Sequence, residues 1–225
     1  MDTRRENWSE GLVGEIHFWE LFKSYHPDWF TCGLDKTTPL DTDIDKAVAQ
    51  SNKTALNIMD VGCGMMSGMG HVSNTGKAIA FFYADPLANE FKRIADEQGF
   101  TLPHPVTCVC VEYLCGSFPP MDVIYCRNAL DHTFDPERGL LEMEALLEPN
   151  GALVLKHYYR CGQRNNYQGV HQWNIFDEDG SLYLEGYGTK KAVDSILSSL
   201  KCQRVERYTE GTETLVKAVY NKNTK

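Results

Sequence analysis

Two carboxylates and a pair of glycines carry the clearest chemistry in this sequence. The run Asn57-Ile58-Met59-Asp60-Val61-Gly62-Cys63-Gly64 ends a β-prone segment in an acid and then supplies two glycines one residue apart. Glycines so placed let the main chain turn sharply and come close to a ligand. A second β-prone run, Ile79 to Ala84, delivers Asp85. The interval from Gly64 is about 20 residues, the distance at which a nucleotide-binding βαβ unit places its ribose-binding carboxylate. Three histidines then follow later β-prone runs. His132 comes after the run ending at Cys126, His157 ends the run Ala152 to Leu155 with Lys156, and His171 lies in a polar stretch beyond. An unperturbed imidazole titrates near pH ~6.5, so each can exchange a proton near neutrality.

The loop itself narrows the ligand. A dinucleotide fingerprint reads G-x-G-x-x-G/A, and here Ser67 holds the third small position with Gly68 one step later. Dinucleotide loops set a pyrophosphate against a helix N-terminus, where an acid such as Asp60 is a liability. S-adenosylmethionine carries no phosphate and presents a cationic amino acid, a sulfonium, a ribose and an adenine. Asp60 suits its cationic end. A carboxylate at Asp85 can accept from both ribose hydroxyls at once.

These residues need elements to position them. Leu12, Ile16, Trp19 and Phe22 follow helical spacing, with Ser9 placed to cap the start and Pro27 to end it. Residues 35–53 are polar and acid-rich, a loop or short helix. From Leu56 strands and helices alternate. Strands are predicted at Leu56–Val61, Ile79–Ala84, Val106–Val111, Asp122–Cys126 and Ala152–Leu155. Asp85-Pro86 and Asp135-Pro136 each read as a cap followed by a first-turn proline. Gly99 stops the first of these helices, and Leu140, Met143 and Leu147 face the core from the second. Glu148 to Gly151 reads as a turn. Residues 160–187 form a long excursion with a hairpin expected at Asp179-Gly180. A final helix is expected over Ala192, Val193, Ile196, Leu197 and Leu200, then two strands near Gln203–Tyr208 and Thr214–Tyr220 joined as an antiparallel hairpin. The segments expected are 1–55, helical and packed on the core, and 56–225, a single α/β domain with an acceptor-side insertion at about 158–188.

Composition excludes other classes. The chain has 225 residues, 24% charged, and a formal net charge of -9. That charge opposes non-specific nucleic-acid binding and gives no reason to expect an anionic membrane surface. No apolar run approaches the ~20 residues of a membrane span, and no apolar stretch of a secretory signal follows the N-terminus, so a cytoplasmic location is expected. The eight cysteines therefore read as buried thiols of a reducing compartment. Cys108, Cys110 and Cys115 lack C-x-x-C spacing, so no metal is expected at that group. Nothing in the sequence fixes an oligomeric state.

The open crevice of an α/β sheet lies beyond the carboxyl ends of its strands, so Asn128, Asp131 and His132 point toward the site by topology. His132 fits equally a loop histidine bonded locally. His157 ends a strand, which is a rigid mount. His171-Gln172-Trp173-Asn174 offers an indole wall between groups that direct hydrogen bonds, and Arg160 with Arg164 could hold an anionic acceptor. The alternative is a surface loop packed by its own aromatics.

The pattern D-V-G-C-G, A-D-P-L-A, R-N-A-L-D-H, L-K-H and G-V-H-Q-W-N resembles the class I S-adenosylmethionine-dependent methyltransferases, in particular bacterial members of which some occur with surface-carbohydrate biosynthesis. The resemblance covers residues 56–157 best. It implies a Rossmann-like, doubly wound, mostly parallel seven-stranded sheet with an antiparallel C-terminal edge hairpin. By the same resemblance Asp60, Gly62 and Gly64 form the cofactor loop, Asp85 holds the ribose, Leu87 flanks the adenine, Glu112 lies near the adenine amino group, and Asn128 completes the cofactor site. Glu112 fits equally a solvated loop acid. Met65, Met66 and Met69 depart from the family's smaller loop residues and are expected against the cofactor. The activity so implied is methyl transfer to a small polar acceptor, a carbohydrate or a phosphorylated or carboxylated metabolite. His157, His171 and His132, in that order, are the base candidates, with Arg160, Trp173 and Asn174 binding the acceptor. The competing readings are a cofactor-binding regulatory module and an NAD-dependent oxidoreductase.

Overall fold

The computed structural model describes residues 3–223; residues 1, 2, 224 and 225, at the outer limits of the two expected segments, lie outside them. β1 (Ala55–Val61), β2 (Ala78–Asp85), β3 (Thr107–Cys108), β4 (Met121–Arg127) and β5 (Leu147–Tyr158) run parallel. β9 (Leu200–Glu210) and β10 (Glu213–Lys222) form the expected hairpin, with β10 antiparallel to β5. The order is β3-β2-β1-β4-β5-β10-β9. Strands are added outward from β1 to one side and then, from β4, to the other. The switch between β1 and β4 opens a crevice at their carboxyl ends, where such sheets bind ligands.

Side-chain alternation along the strands explains two cores. Met59, Val61, Ile124, Cys126, Leu153 and Leu155 pack on one face, covered by Leu140 and Met143 of α5 (Pro136–Leu146). Leu56, Ile58, Val123, Tyr125, Ala152 and Val154 pack on the other, covered by Ile44 and Val48 of α3 (Thr42–Gln50). A third cluster joins Phe91 and Ile94 of α4 (Ala88–Gln98) to Phe22 of α1 (Thr3–Tyr25), Phe30 of α2 (Pro27–Leu34) and the loop residues Met65 and Met66. The N-terminal helices are thus part of the packed body.

The excursion is not a surface loop. After the short α6 (Cys161–Arg164) it folds into a second, antiparallel sheet of β6 (Asn174–Glu178), β7 (Ser181–Gly186) and β8 (Thr189–Ala192). Asp179 and Gly180 turn the hairpin at φ +49° and +79°, as a primed two-residue turn requires. Ile175, Leu182 and Leu184 insert into the first core.

Several expectations need correction. The final helix is a single 3-10 turn, Val193–Ser195. Val193, Leu197 and Leu200 are still buried, but pairing of Ala192 with Tyr183 and of Leu200 with Lys222 captures both ends as strand and leaves too little chain for a helix. The third strand keeps only two residues, since Val111–Tyr113 turns into a 3-10 helix. Ser9 lies inside α1, not at its start, because Trp8 docks on the body through an indole bond to the His132 carbonyl at 2.8 Å. The expected turn at Glu148–Gly151 is absorbed into β5, with Asn150 at φ +65°. Cys32, Cys108 and Cys115 are exposed, not buried, and all eight thiols are free. Among the described residues no helix is long and apolar enough to cross a membrane.

Candidate active site

A cavity of about 810 Å³ opens at the switch between β1 and β4, within the ~300–1,000 Å³ usual for small-molecule sites. Its floor is main chain. The N–H groups of Gly62 and Cys63 donate to the Ala84 carbonyl at 2.8 and 3.2 Å, which ties the loop after β1 to the end of β2. Gly62 sits at φ +66°, and a Cβ there would lie 2.2 Å from that of Ala129. Gly64 sits at φ +63°, and its Cβ would meet the Trp19 ring at 2.7 Å. Both left-handed conformations and both close approaches demand glycine.

The two acids flank this floor. Asp60 is buried and accepts from Ser67 Oγ at 2.5 Å. Burial pushes its carboxyl up to about 7, against the pull of the Ser67 bond. Asp85 accepts from the Leu87 N–H at 2.8 Å and the Gly64 N–H at 3.0 Å. Those bonds hold it to the loop, so it does not cap α4 as expected; that helix begins after Leu87 with no side-chain cap. Burial pushes Asp85 up to about 6. Each of its oxygens retains a lone-pair direction for a hydroxyl.

Two buried carboxyls that resist ionising are a poor resting arrangement and a good socket for a cation. The donor set therefore fits S-adenosylmethionine: Asp60 for its cationic amino acid, Asp85 for its ribose, and bare main chain between. Leu87, Val109 and Val111 line an apolar slot for the base. Glu112 lines the same wall but is only 2% exposed, with Oε1 accepting from the Phe134 and Asp135 N–H groups at 3.2 and 3.1 Å. It is no solvated loop acid. Asn128, at φ +48°, accepts from the Tyr158 N–H through Oδ1 at 2.8 Å and so ties the ends of β4 and β5 together at the cavity edge. Met66 reaches the cavity; Met65 and Met69 do not, being turned into the cores behind the loop.

Beside this floor stands a cluster of four groups. His171 Nδ1 lies 3.0 Å from Asp131 Oδ2, 2.9 Å from His132 Nε2 and 3.5 Å from Cys161 Sγ. His132 Nε2 is 3.1 Å from the same Asp131 oxygen. His132, Cys161 and His171 face the cavity, with Asp131 buried behind them. Burial opposes charge on Asp131, but the imidazoles outweigh it and hold the carboxyl well below its ordinary range. Burial likewise opposes charge on His132, and Asp131 outweighs it and holds the ring up to about 9.

Four expected site residues are not on the cavity wall. β5 alternates, and it is Tyr158 that turns to the cavity while His157 turns into the core. His157 is 1% exposed and neither ring nitrogen has a hydrogen-bond partner. Burial pushes it down to about 4, so the ring is neutral and sealed. Trp173 is a core residue of the excursion, its indole N–H donating to the Thr133 carbonyl at 2.9 Å. Asn174 is fully buried, accepting from the Gln163 N–H and donating to Tyr167 and Glu185. Arg160 stacks on the Phe176 ring at 3.8 Å and pairs with Glu185.

Sequence reasoning missed Cys161, Arg127, Glu15 and Trp8, all on the wall. Cys161 follows the end of β5 directly, and His171 is brought to the Asp131-His132 turn by the bond from the Gln172 N–H to the Asp131 carbonyl. Phe18 and Trp19 of α1 also line the cavity.

A methyltransferase domain model matches residues 59–155. No curated protein matches the chain. Among solved structures, the [4+2]-cyclase SpnF is 13% identical over 96% of this chain and 97% of its own, with a TM-score of 0.54. The N-methyltransferase NodS from Bradyrhizobium japonicum WM9, in complex with S-adenosyl-L-homocysteine, is 12% identical over 81% of this chain and 85% of its own, with a TM-score of 0.50. At such identities these structures speak to the fold.

Proposed function

We propose that this chain, an S-adenosylmethionine-dependent methyltransferase, methylates a small polyhydroxylated acceptor in the cytoplasm. The observation that carries the acceptor reading is that one cavity is lined both by the glycine loop with Asp85 and by His132 and His171 of the cluster around Asp131. Two guanidiniums stand on its wall. Arg127 is paired with Glu210 at 2.6 Å and Arg164 with Glu213 at 2.6 Å. A wall of matched donors and acceptors suits hydroxyl groups, as on a carbohydrate, better than a bare phosphate or carboxylate.

The cofactor supplies an electrophilic methyl group on a sulfonium. The chain's part is alignment: Asp85 and the loop fix the nucleoside, Asp60 fixes the amino-acid end, and the aromatic face of α1 excludes water. Proximity of this kind provides a large share of the rate in a direct displacement. A proton leaving the acceptor passes to solvent along the wall of the histidine cluster, where Asp131 already holds His132 charged. His157 is sealed from that path, and Arg160, Trp173 and Asn174 support the excursion from behind.

An oxidoreductase reading meets Asp60 and Ser67 where a pyrophosphate would lie. A regulatory module would share the cofactor site, and SpnF, of similar fold, is a cyclase, so binding alone does not establish transfer. The test has two parts. Calorimetry should detect S-adenosyl-L-homocysteine and not NAD. Labelled methyl from the cofactor should appear in a hydroxylated metabolite of a cell extract; binding without any labelled product would leave the regulatory module standing and remove the transferase.

A further inference from the structure

The contacts around His171 cannot all be hydrogen bonds. Its Nδ1, His132 Nε2 and Asp131 Oδ2 form a triangle with edges of 2.9, 3.0 and 3.1 Å. An imidazole nitrogen offers one proton or one lone pair in the ring plane, never both. If both nitrogens are protonated, each serves Asp131 and the two N–H groups oppose one another. If only one is, the other faces the carboxylate with a lone pair. At most two edges can be satisfied, and Cys161 Sγ adds a third neighbour to the same His171 nitrogen at 3.5 Å.

A cation removes the conflict: Asp131 Oδ2, His171 Nδ1 and Cys161 Sγ present lone pairs to a common centre, and a His132 N–H is left to donate to Asp131 alone. The spacing also fits. Zinc binds imidazole nitrogen and carboxylate oxygen at ~2.0–2.2 Å and thiolate at ~2.3 Å. A tetrahedral nitrogen–sulfur edge built from such bonds is about 3.5 Å, as between His171 and Cys161, and nitrogen–oxygen edges run from about 2.8 Å (octahedral) to about 3.6 Å (tetrahedral), which brackets the 3.0 Å between His171 and Asp131. Asp131, Cys161 and His171 each place one donor atom within 4.8 Å of the other two. We propose that Asp131 Oδ2, His171 Nδ1 and Cys161 Sγ bind a late first-row divalent cation, zinc foremost, on the cavity wall, with a position left open beside His132. A set of one imidazole, one thiolate and one carboxylate selects zinc over magnesium or calcium.

The surroundings are those of a ligand set. Asn165 Nδ2 donates to Cys161 Sγ at 3.3 Å, which supports sulfur as an acceptor. The Gln172 N–H holds the Asp131 carbonyl at 3.1 Å, and the Trp8 indole holds the His132 carbonyl at 2.8 Å. Main chain on both sides of the cluster is thereby fixed, as outer contacts fix metal ligands. The site departs from the sequence expectation of no metal, which had weighed only the cysteines at 108, 110 and 115.

Resting on the methyltransferase reading, the cation has a use. An acceptor hydroxyl that coordinates it loses its proton to solvent more readily. The resulting oxygen anion forms the new bond to the methyl carbon as the carbon–sulfur bond breaks, and that electron pair stays on the departing thioether. The acceptor class is then one with a hydroxyl able to coordinate zinc.

The test uses the full chain, purified without chelator. Elemental analysis should find zinc in stoichiometric amount. Cobalt(II) titration of the metal-stripped chain should give intense visible bands and a near-ultraviolet thiolate charge-transfer band. Cys161→Ser should lose the charge-transfer band, His171→Ala should lose the visible bands, and Cys108→Ser should keep both. Asn165→Ala should weaken zinc ~10- to 100-fold. S-adenosyl-L-homocysteine binding by each variant reports that the fold is intact. Only trace zinc with the spectrum of hydrated cobalt, or a thiolate band that survives Cys161→Ser, overturns the site. Failure of S-adenosyl-L-homocysteine to bind a chain that shows the cobalt spectrum would instead remove the methyltransferase reading and leave the metal site.

Discussion

Two parts of the cavity wall, a cofactor end and an acceptor end, are built by different means. At the cofactor end the chemistry sits on strand tips and main chain: Asp60 ends β1, Asp85 ends β2, and two glycines span the gap. At the acceptor end it sits on a 3-10 turn, a four-residue helix and a connecting segment, with Asp131, Cys161 and His171 brought together across the sequence. The first depends on backbone geometry and on buried acids whose desolvation outweighs the charges of Arg127 and His132 near them. The second depends on side chains that crowd one another. A strand-tip site tolerates little change in its main chain, whereas a site assembled from turns depends on the elements that fold over it.

The sharpest break would come at the loop. Gly62→Val places a Cβ against Ala129 in a left-handed conformation. Overpacking costs ~1–3 kcal/mol and backbone strain a similar ~1–3 kcal/mol. S-adenosyl-L-homocysteine binding should fall below detection by calorimetry, with a lower melting temperature. If the variant binds normally, the main chain is not the floor of the site and the contrast between the ends disappears.

Asp85→Asn is the next largest. An amide has one accepting end, so either the Gly64 or the Leu87 N–H is left facing a donor. Loss of a hydrogen bond to a charged group costs ~1.5–3 kcal/mol. S-adenosyl-L-homocysteine affinity should therefore drop about 10- to 100-fold, while metal content at the other end stays as in the parent.

Legibility in the sequence followed the same division. Asp60, Gly62, Gly64, Asp85 and Leu87 could be read because strand period and loop spacing are local signals, and all five line the cavity. His157 misled because a strand end was legible but the face was not: one residue of register decides between Tyr158 and His157. Trp173 and Asn174 misled because polar and aromatic residues in an apparent loop can equally form the core of a small sheet. The helix expected near Val193 failed because apolar spacing records burial, and strand pairing at both ends decided the backbone. Cys161 was passed over although it follows the end of β5 directly, beside the turn after β4 that carries Asp131.

A gentler probe of the cofactor end is pH. Ligand binding favours ionised Asp60 and Asp85, whose free values stand at about 7 and about 6. Affinity for S-adenosyl-L-homocysteine should be full above those values and fall as pH drops through them, by about tenfold per unit for each carboxyl that must lose its proton. Asp60→Asn should remove the upper limb. For the cofactor-free chain the sign reverses. Folded-state values above the ordinary carboxyl value of ~3.9 mean that the folded form holds these protons more tightly. These two acids therefore lower stability as pH rises from about 4 toward 7, and bound cofactor restores it. Calorimetry and thermal unfolding across that interval check both signs; affinity independent of pH would mean the acids do not meet the ligand.

The smallest effect is expected at His157, where a large one would redraw the acceptor end. Its ring nitrogens are buried without partners, and the ring is already neutral at physiological pH. Replacing a polar group that has no bond with an apolar one of similar size is neutral or stabilising, by up to ~2 kcal/mol. His157→Leu should keep turnover within about twofold and leave the melting temperature unchanged or raised. Turnover that collapsed while S-adenosyl-L-homocysteine binding held would mean that β5 opens during the reaction and presents its buried imidazole to the acceptor. Proton transfer would then belong to a strand tip after all, and both ends of the cavity would be built on the sheet.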